Sequence, residues 1–308
     1  MVRPAKIFIA VVFVLGIAYA LSSAFFNRSI PTDADSAPVW SPQGDRIAFY
    51  STRDGNAEIY VMNPDGTGIE RVTNDPGRDA DPAWSPDGRT LVFTSMRDGL
   101  VDRTRGIAGL SNEEIYTVRL DTRAVRRLTN QRGGDLQPSW SPDGATIAFV
   151  STRDGNPDIY LMDADGGHLR NLTHHPSADF SPAWSPDGAH IAFWSDRDGD
   201  RELYVMDRDG SNLARLTHRP GPDFAPAWSP DGTRVAFVSR RNGNVDVFVV
   251  NRDGSGPEPL ISGPSNDILG SWSPDGASLV ISSDRAGGNE EVFLFFWRES
   301  RWVRLTHN

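Results

Sequence analysis

The tetrad Trp-Ser-Pro-x followed by Gly occurs six times in this sequence of 308 residues. The copies begin at Trp40, Trp84, Trp140, Trp184, Trp228 and Trp272, and successive copies are 44, 56, 44, 44 and 44 residues apart. A fixed period of this length is typical of repeat architectures, in which each repeat is one supersecondary unit. We therefore divide residues 29–308 into six units: roughly 32–75, 76–131, 132–175, 176–219, 220–263 and 264–308.

Other positions repeat in phase with the tryptophan. Thirteen residues after it stands an arginine, from Arg53 in the first unit to Arg285 in the last. Two residues before it stands a proline in five units, whereas the sixth unit has Gly270. Five residues before it stands an aspartate in every unit: Asp35, Asp79, Asp135, Asp179, Asp223 and Asp267.

Each unit has the pattern of four short strands. Apolar residues recur with a period of two in short runs, which are separated by turn sequences such as Ser-Pro-Asp-Gly and Asp-Arg-Asp-Gly. Four strands fill the 44-residue unit and leave no room for a helix. The sequence therefore predicts an all-β fold, a six-bladed β-propeller of four-stranded antiparallel blades, with each tryptophan packed between adjacent blades.

The repeat phase also predicts how the ring closes. The units begin near residue 32, and residues 304–308 match the end of a full unit. We expect each blade to consist of consecutive strands, with no terminal strand lent to complete another blade.

The motifs within a unit closely resemble the WD-like repeats of the TolB propeller, and the resemblance covers residues 32–308. In the fourth unit these motifs are Asp-Phe-Ser-Pro-Ala-Trp-Ser-Pro-Asp-Gly (179–188), Ile-Ala-Phe (191–193), Glu-Leu-Tyr-Val-Met-Asp (202–207) and Arg-Leu-Thr (215–217). TolB is a periplasmic component of a cell-envelope system and binds the peptidoglycan-associated lipoprotein. The resemblance implies an extracytoplasmic interaction module with envelope or membrane proteins as partners. We expect this chain to lack the α/β domain that precedes the TolB propeller.

The N-terminus has the pattern of a targeting segment. Arg3 and Lys6 precede residues 7–26, which carry no charge. This pattern describes a secretory signal peptide, but twenty such residues also just cross a hydrocarbon core of about 30 Å. We expect residues 1–28 to be a cleaved signal peptide or an uncleaved membrane anchor helix, and we favour the anchor; a buried core helix is a third alternative. Both targeting alternatives place the propeller in the periplasm or on the outer face of the cytoplasmic membrane.

Composition excludes several kinds of chemistry. The sequence contains no cysteine, which excludes disulfides, thiolate metal sites and cysteine nucleophiles. The net charge is −10 without a basic run, which argues against nucleic-acid binding, because that binding depends on clustered positive charge. No nucleophile-elbow, zinc-protease, phosphate-loop or dinucleotide motif is present. We predict no catalytic residue, no required cofactor and a monomeric propeller.

The repeated aspartates are the candidate metal ligands. If the first strand of each blade is innermost, all six carboxylates approach one end of the central channel. Such charges raise one another's pKa unless a cation or hydrogen-bond donors are present. Oxygen ligands on a flexible ring suit Ca²⁺, which is therefore the possible channel ion. The alternative is that each aspartate caps its own turn or bonds the backbone of a neighbouring blade.

The six repeated arginines are expected to link to a carboxylate or carbonyl within a turn. An acidic residue at the start of the third strand is the candidate partner in each unit: Glu58, Glu114, Asp158, Glu202, Asp246 and Glu291.

Two places break the sixfold symmetry. The second unit has twelve extra residues, and this insertion either contacts a partner or is a tolerated surface loop. The last unit replaces its Asp-x-Asp-Gly turn with an aromatic and basic segment, which either contacts a partner or covers the outer edge of the ring. The candidate contact residues are Arg103, Arg105, Ile107 and Leu110 in the insertion, and Trp297, Arg298, Arg301 and Trp302 in the last unit.

Two classes of function remain beside a purely structural role. The first is a binding module without catalysis. The alternative is a propeller enzyme, such as a metal-dependent hydrolase or lyase that acts on a sugar or lactone through the Asp-lined channel. An enzyme needs an acid or base that a single blade carries, so asymmetry around the channel separates the two classes.

Overall fold

The computed structural model describes residues 33–98, 113–241 and 243–307. The predicted signal or anchor segment (1–28) and the extra residues of the second unit (100–112) lie outside the described residues. The part of the chain that is described consists of strands, turns and loops, without a helix. None of it forms a helix long and apolar enough to cross a membrane.

The described residues form six four-stranded antiparallel sheets, each built from four consecutive strands. Blade 1 contains β1 (Asp35–Trp40), β2 (Ile47–Ser51), β3 (Glu58–Met62) and β4 (Glu70–Arg71). Blade 2 contains β5 (Asp79–Trp84), β6 (Thr90–Ser95), β7 (Glu114–Arg119) and β8 (Val125–Arg127). Blade 3 contains β9 (Asp135–Trp140), β10 (Thr146–Ser151), β11 (Asp158–Asp163) and β12 (Arg170–Asn171).

The remaining three blades follow the same order. Blade 4 contains β13 (Asp179–Trp184), β14 (His190–Ser195), β15 (Glu202–Asp207) and β16 (Ala214–Arg215). Blade 5 contains β17 (Asp223–Trp228), β18 (Arg234–Ser239), β19 (Asp246–Asn251) and β20 (Glu258–Ile261). Blade 6 contains β21 (Asp267–Trp272), β22 (Leu279–Ser283), β23 (Glu291–Phe296) and β24 (Arg301–Arg304). The predicted six-bladed propeller is confirmed.

The first strand of each blade is innermost. Each of these strands contacts the first strands of the two neighbouring blades, and β21 contacts β1. The ring therefore surrounds a central channel lined by β1, β5, β9, β13, β17 and β21.

The core lies between the blades. The second strands are buried on both faces, and a phenylalanine without exposed surface occupies the same position in five of them: Phe49, Phe93, Phe149, Phe193 and Phe237. Trp84 of blade 2 packs with Ala48 and Ile59 of blade 1, and its indole N–H donates to the Val39 carbonyl at 3.1 Å. The predicted place of the tryptophan between blades is thus confirmed for this boundary.

The Ser-Pro-Asp-Gly sequence closes the first hairpin of a blade through its own side chains. In blade 5, the Ser229 hydroxyl donates to Asp231 at 2.6 Å, and the Gly232 N–H donates to the Ser229 carbonyl at 2.8 Å. Gly232 has a φ of +67°, a conformation that glycine adopts without a steric penalty. These turns lie at the end of the channel opposite to the repeated aspartates, which begin the first strands.

The ring closes without a shared strand. The backbone N–H of the repeated aspartate donates to the residue before the third strand of the preceding blade, as Asp79 does to the Ala57 carbonyl at 2.8 Å. Asp35 donates to the Glu290 carbonyl at 2.9 Å, so the first and last blades meet as all the others do. The expectation of consecutive strands with no lent strand is confirmed.

Gly270 permits the closest approach at this seam between blades 6 and 1. A Cβ atom at this position would lie 1.9 Å from the Pro38 carbonyl oxygen and 2.9 Å from that of Val280. Both neighbours are backbone atoms of strands, which cannot move aside independently. The departure from proline at this position in the sixth unit therefore has a steric reason.

We expect Gly270→Ala to lower the free energy of unfolding by about 2 to 3 kcal/mol, because overpacking at the seam forces the strands apart. Gly263→Ala is the matched control, since Gly263 has an ordinary φ and no atom within 4 Å of its added Cβ. Urea unfolding of both variants measures the difference. Equal midpoints for the two variants would show that the seam tolerates the methyl group.

Candidate functional site

The six repeated aspartates are buried, with at most 1% of each exposed, and each pairs with the repeated arginine of its own blade. Asp35 binds Arg53 Nη2 through both carboxylate oxygens, at 2.9 and 2.8 Å. The arginine Nε also donates to the repeated serine, as Arg53 does to Ser51 at 2.9 Å. We call this arrangement the Asp–Ser–Arg clamp, and all six blades contain it: Asp35/Ser51/Arg53, Asp79/Ser95/Arg97, Asp135/Ser151/Arg153, Asp179/Ser195/Arg197, Asp223/Ser239/Arg241 and Asp267/Ser283/Arg285.

The predicted link between these arginines and a carboxylate is confirmed, but the predicted partners were wrong. Glu58 binds Arg71 of the outer strand at 2.7 Å and accepts a hydrogen bond from the Thr73 hydroxyl at 2.6 Å. Glu114, Glu202 and Glu291 bind the equivalent outer-strand arginines: Arg127, Arg215 and Arg304. The reason is register: Asp35 is paired with Ser51 across β1 and β2, which places Arg53 beside the inner carboxylate.

Each clamp arginine also lies over aromatic rings. The Arg197 guanidinium is 5.3 Å from the Phe193 ring and 4.9 Å from the Tyr204 ring. A guanidinium is weakly hydrated and stacks on aromatic faces, so it is suited to a half-buried position between two strands. The clamp thus joins the first three strands of a blade at the channel end.

The clamps supply the hydrogen-bond donors that the ring of aspartates requires. Within the described residues, no three carboxylate or imidazole side chains come together in an arrangement that could hold a metal ion. Calcium bound by Asp35, Asp79, Asp135, Asp179, Asp223 and Asp267 stays a prediction.

We expect Arg241→Ala to lower the free energy of unfolding by about 3 kcal/mol, because it leaves the fully buried Asp223 carboxylate without its cation. Arg119→Ala is the matched control, since Arg119 pairs with Asp121 where both side chains are more than half exposed. Thermal unfolding should give the control the same midpoint as the parent chain. If the two variants melted together, the clamp would not stabilise the fold.

Asp79, like Asp267, has one buried carboxylate oxygen without a hydrogen-bond partner among the described residues. In Asp79 this atom is Oδ1, whereas Oδ2 contacts Arg97 at 2.7 Å. Burial raises the pKa of Asp79 to about 6, although Ser95 and Arg97 oppose the shift. The folded protein therefore binds a proton at this carboxylate more tightly than the unfolded chain does.

A raised carboxylate pKa makes folding most favourable below the unfolded pKa, and this contribution is lost as the pH rises through the folded pKa. Between pH 4 and pH 7, we therefore expect the parent chain to lose up to about 3 kcal/mol of stability relative to Asp79→Asn. Urea unfolding across this range measures the difference. A constant difference between the two proteins would contradict the raised pKa.

The residues next to the clamps differ from blade to blade. Five titratable side chains lie next to the clamps in blades 6, 1 and 2. We call them the polar half of the channel mouth: Tyr50, Arg78, Asp81, Glu113 and Glu290. All five side chains are half-buried, and Asp81 stands in the innermost strand β5.

Hydrogen bonds connect the polar half across three blades. The Ser36 hydroxyl donates to Glu290 Oε2 at 2.5 Å, and Ser36 is also hydrogen-bonded to the Tyr50 side chain. The Arg78 guanidinium lies 5.6 Å from the Tyr50 ring, and its Nη1 is 3.4 Å from Glu113 Oε1. Blades 6, 1 and 2 therefore share one polar cluster at this end of the channel.

Burial and charge act against each other in this cluster. Burial raises the pKa of Asp81 and of Tyr50, and the Arg78 cation opposes both shifts. Burial also lowers the pKa of Arg78, but Asp81, Tyr50 and Glu113 outweigh it and raise that pKa. Arg78 is therefore held in its charged form.

The opposite side of the mouth is apolar and aromatic. The Phe180 and Trp194 rings stack with centroids 4.7 Å apart, and Phe224 meets Trp194 edge-on at 5.9 Å. Arg201 covers both Trp194 and Phe224, at 5.2 and 5.6 Å, and burial lowers its pKa. We call Phe180, Trp194, Arg201 and Phe224 the aromatic half.

A line of neutral polar groups lies between the two halves. Thr94 is hydrogen-bonded to the Asp81 carboxylate and accepts the Gln137 N–H at 3.1 Å. Gln137 Oε1 in turn accepts the Ser181 N–H at 2.9 Å. Asp81, Gln137 and Ser181 hold the same position in their strands, with φ of 52°, 53° and 54°.

Neither half could be recognised from the positions that all six repeats share. The signal lies at the positions beside the repeated aspartate, where the six units differ in charge and size. Arg78 stands where the other units have Ala, Gly, Ala, Pro and Asn, and Asp81 stands where they have Ala, Gln, Ser, Ala and Leu.

The contact candidates of the insertion, Arg103, Arg105, Ile107 and Leu110, lie outside the described residues. The insertion joins β6 to β7, whose adjoining ends Ser95 and Glu114 lie at the channel-mouth end of blade 2. Contact between these residues and a partner stays a prediction.

The candidates of the last unit are placed on the blade 6 hairpin. The Trp297 indole N–H donates to the Gly276 carbonyl at 2.9 Å, and the Arg285 guanidinium lies 3.1 Å from the Trp302 ring. Arg298 and Arg301 are exposed. The two tryptophans thus pack on their own blade, which is what covering the outer edge requires, and contact with a partner stays a prediction.

Comparison with known proteins identifies the repeat. The family model described as the TolB beta propeller domain matches residues 28–102, 111–223 and 215–308. The TolB homologue of Chlorobium luteolum is 34% identical over 143 residues, which are 45% of this chain and 28% of that protein. The Tol-Pal system protein TolB of Bordetella pertussis is 42% identical over 122 residues, 39% of this chain and 25% of that protein. The matched part thus spans about a quarter of the length of these curated relatives.

Solved structures show the same fold. The putative TolB from Agrobacterium tumefaciens has a TM-score of 0.66 at 27% identity, covering 78% of this chain and 84% of that one. The oligogalacturonate lyase of Vibrio parahaemolyticus has a TM-score of 0.60 at 18% identity, covering 89% of this chain and 77% of the lyase, and this likeness concerns the fold alone. The chain belongs to the TolB β-propeller domain family.

Proposed function

We propose that this chain is an extracytoplasmic protein-interaction module of the cell envelope, which binds a partner protein at the channel mouth and performs no catalysis. The observation that carries this proposal is the division of the mouth into a polar half and an aromatic half. The names of the relatives agree with it, since the Bordetella relative is called a Tol-Pal system protein.

The division points to recognition because the scaffold does not need it. All six blades contain the clamp, whereas only one has Arg78 and Asp81 beside it. Five blades fold without such residues at these positions, so folding does not require them and they are available to bind a partner. A rigid ring that presents different side chains at one end fits a binding surface that a single partner recognises in one orientation.

Asp81 and Tyr50 also give an enzyme the asymmetry that it needs, so the alternative remains a propeller hydrolase or lyase acting on a sugar or lactone. Two groups of the polar half, however, are already engaged by neighbouring side chains: Glu290 accepts from Ser36, and Arg78 lies beside Glu113. Burial raises the pKa of Tyr50, so its hydroxyl stays protonated at neutral pH and is not suited to act as a general base.

The N-terminal segment bears on location. We propose that residues 1–28 export the chain and, if retained, anchor it. Ala34 is among the first described residues, and its N–H donates to the Thr52 hydroxyl at 2.9 Å, at the mouth end of blade 1. A retained anchor would therefore join the propeller on the side of the channel mouth.

Crosslinking tests the proposal, because a chain without cysteine accepts single reactive sites. His218→Cys places an exposed thiol on the mouth side, and Ala189→Cys places one in a turn at the opposite end. With a thiol-reactive photocrosslinker in intact cells, we expect His218→Cys to yield a defined envelope-protein adduct, identified by mass spectrometry. This adduct should be absent from Ala189→Cys and lost when Arg78→Ala is added.

Equal adducts from both sites, or adducts that persist with Arg78→Ala, would argue against partner binding at the mouth. Turnover on a panel of glycans and lactones that Asp81→Asn abolishes would favour the enzyme instead.

A further inference from the structure

We infer that the partner presents an extended peptide segment with a lysine or arginine side chain, which binds between Asp81 and Glu290 in the polar half. This inference rests on the proposed function, since it names the chemistry of the partner at the same mouth. Three observations carry it: excess negative charge, unpartnered buried polar atoms and the cation of the aromatic half.

The polar half carries more negative than positive charge. It contains the carboxylates of Asp81, Glu113 and Glu290 against the single cation of Arg78. The ion pair formed within it joins Arg78 to Glu113, at 3.4 Å. Arg78 also attracts Asp81, and Glu290 accepts from a neutral hydroxyl, so three carboxylates share one cation and the cluster keeps a net negative charge that a basic side chain can neutralise.

Two buried polar atoms near these carboxylates have no hydrogen-bond partner among the described residues: Ser282 Oγ and Arg78 Nε. Ser282 has no exposed surface, and it holds in β22 the position that Tyr50 holds in β2. Val280, two residues earlier in the same strand, packs against blade 1. Side chains two residues apart in a strand share a face, so Ser282 also faces the boundary of blades 6 and 1, where Ser36 and Glu290 meet. Unmade hydrogen bonds of this kind are costly, and a ligand that supplies them gains affinity.

The two atoms require different partners, and a peptide supplies both. Arg78 Nε is a donor and needs an acceptor, such as a backbone carbonyl. Ser282 Oγ accepts from a donor such as an ammonium or guanidinium group. A bare metal ion could satisfy the carboxylates but could not accept the Arg78 N–H.

The aromatic half determines the direction of the segment. Arg201 lies over Trp194 and Phe224, and it is already the cation that Asp196 and Asp200 attract, so that side offers a second cation less than the polar half does. A basic side chain is therefore directed to Asp81 and Glu290, and the adjoining part of the segment should be apolar, since the neighbouring inner strand residues include Leu136 and Ile268.

Asp81 can be tested without disturbing the fold. Its φ of 52° lies in the left-handed region, which asparagine adopts more readily than most residues. Asp81→Asn therefore removes the charge, keeps the shape and the Thr94 hydrogen bond, and leaves the inner strand in place. Asp121→Asn is the matched control, because Asp121 is an exposed aspartate in the turn after β7, at the opposite end of the blade.

A random twelve-residue peptide library displayed on phage is the probe, selected against the full chain. We expect the selected peptides to contain a lysine or arginine next to an apolar residue. By fluorescence anisotropy, their Kd should rise at least about tenfold in Asp81→Asn and in Glu290→Gln, the effect of losing a charge pair in a partly desolvated site. The Kd should be unchanged in Asp121→Asn. Far-UV circular dichroism of all three variants should match the parent chain, and Asp81→Asn should not lower the midpoint of thermal unfolding, because its buried charge is removed.

Selection of acidic peptides, failure to select any peptide, or a Kd that Asp81→Asn leaves unchanged would overturn the inference. A metal site would overturn it as well. Its signs would be calcium binding in calorimetric titration that Asp81→Asn abolishes, together with loss of peptide binding at millimolar calcium. A mouth-specific crosslink combined with any of these results would leave the proposed function intact and reject only the basic segment.

Discussion

The Asp–Ser–Arg clamp is the interaction on which the rest of the structure depends. It compensates the charge of a carboxylate with no exposed surface, such as Asp223, and ties the first strand of a blade to the turn that follows the second. A chain without disulfides has to stabilise six separate sheets by packing and polar contacts alone. Because the clamp recurs in phase in all six blades and the interblade phenylalanine in five, the blades present similar faces to their neighbours, and the ring can close.

The same clamp also allows the residues around it at the channel mouth to differ from blade to blade. Six unpaired carboxylates at one end would repel one another, and the residues beside them could not vary freely. Once each aspartate has its own arginine, the adjoining positions are released from this constraint. Arg78 and Asp81 occupy them on one side and Phe180 and Trp194 on the other, so a structure with sixfold repetition acquires one distinct orientation.

The strand order and the turns could be predicted from the sequence, because they follow from period and phase. The innermost position of the repeated aspartates could be stated only as a condition, because the period does not say which strand faces the channel. The partner of Arg53 could not be predicted, since Asp35 and Glu58 are both acidic and only the pairing of Asp35 with Ser51 decides between them. The polar half escaped prediction for a different reason. Tyr50 and Glu290 are far apart in the sequence, and they meet only because the last blade closes against the first.

Glu290 connects ring closure to the mouth. Its carbonyl accepts the Asp35 N–H at 2.9 Å, which is the seam contact, while its carboxylate accepts the Ser36 hydroxyl in the polar half. A partner that binds Glu290 in the closed ring binds only the folded state, and such binding raises stability in proportion to the logarithm of ligand concentration over Kd. The seam between blades 6 and 1 is the boundary that the chain itself does not cross, so it has the most to gain from this. Partner binding and ring closure are therefore thermodynamically coupled through one residue, so that a weakened seam also weakens recognition.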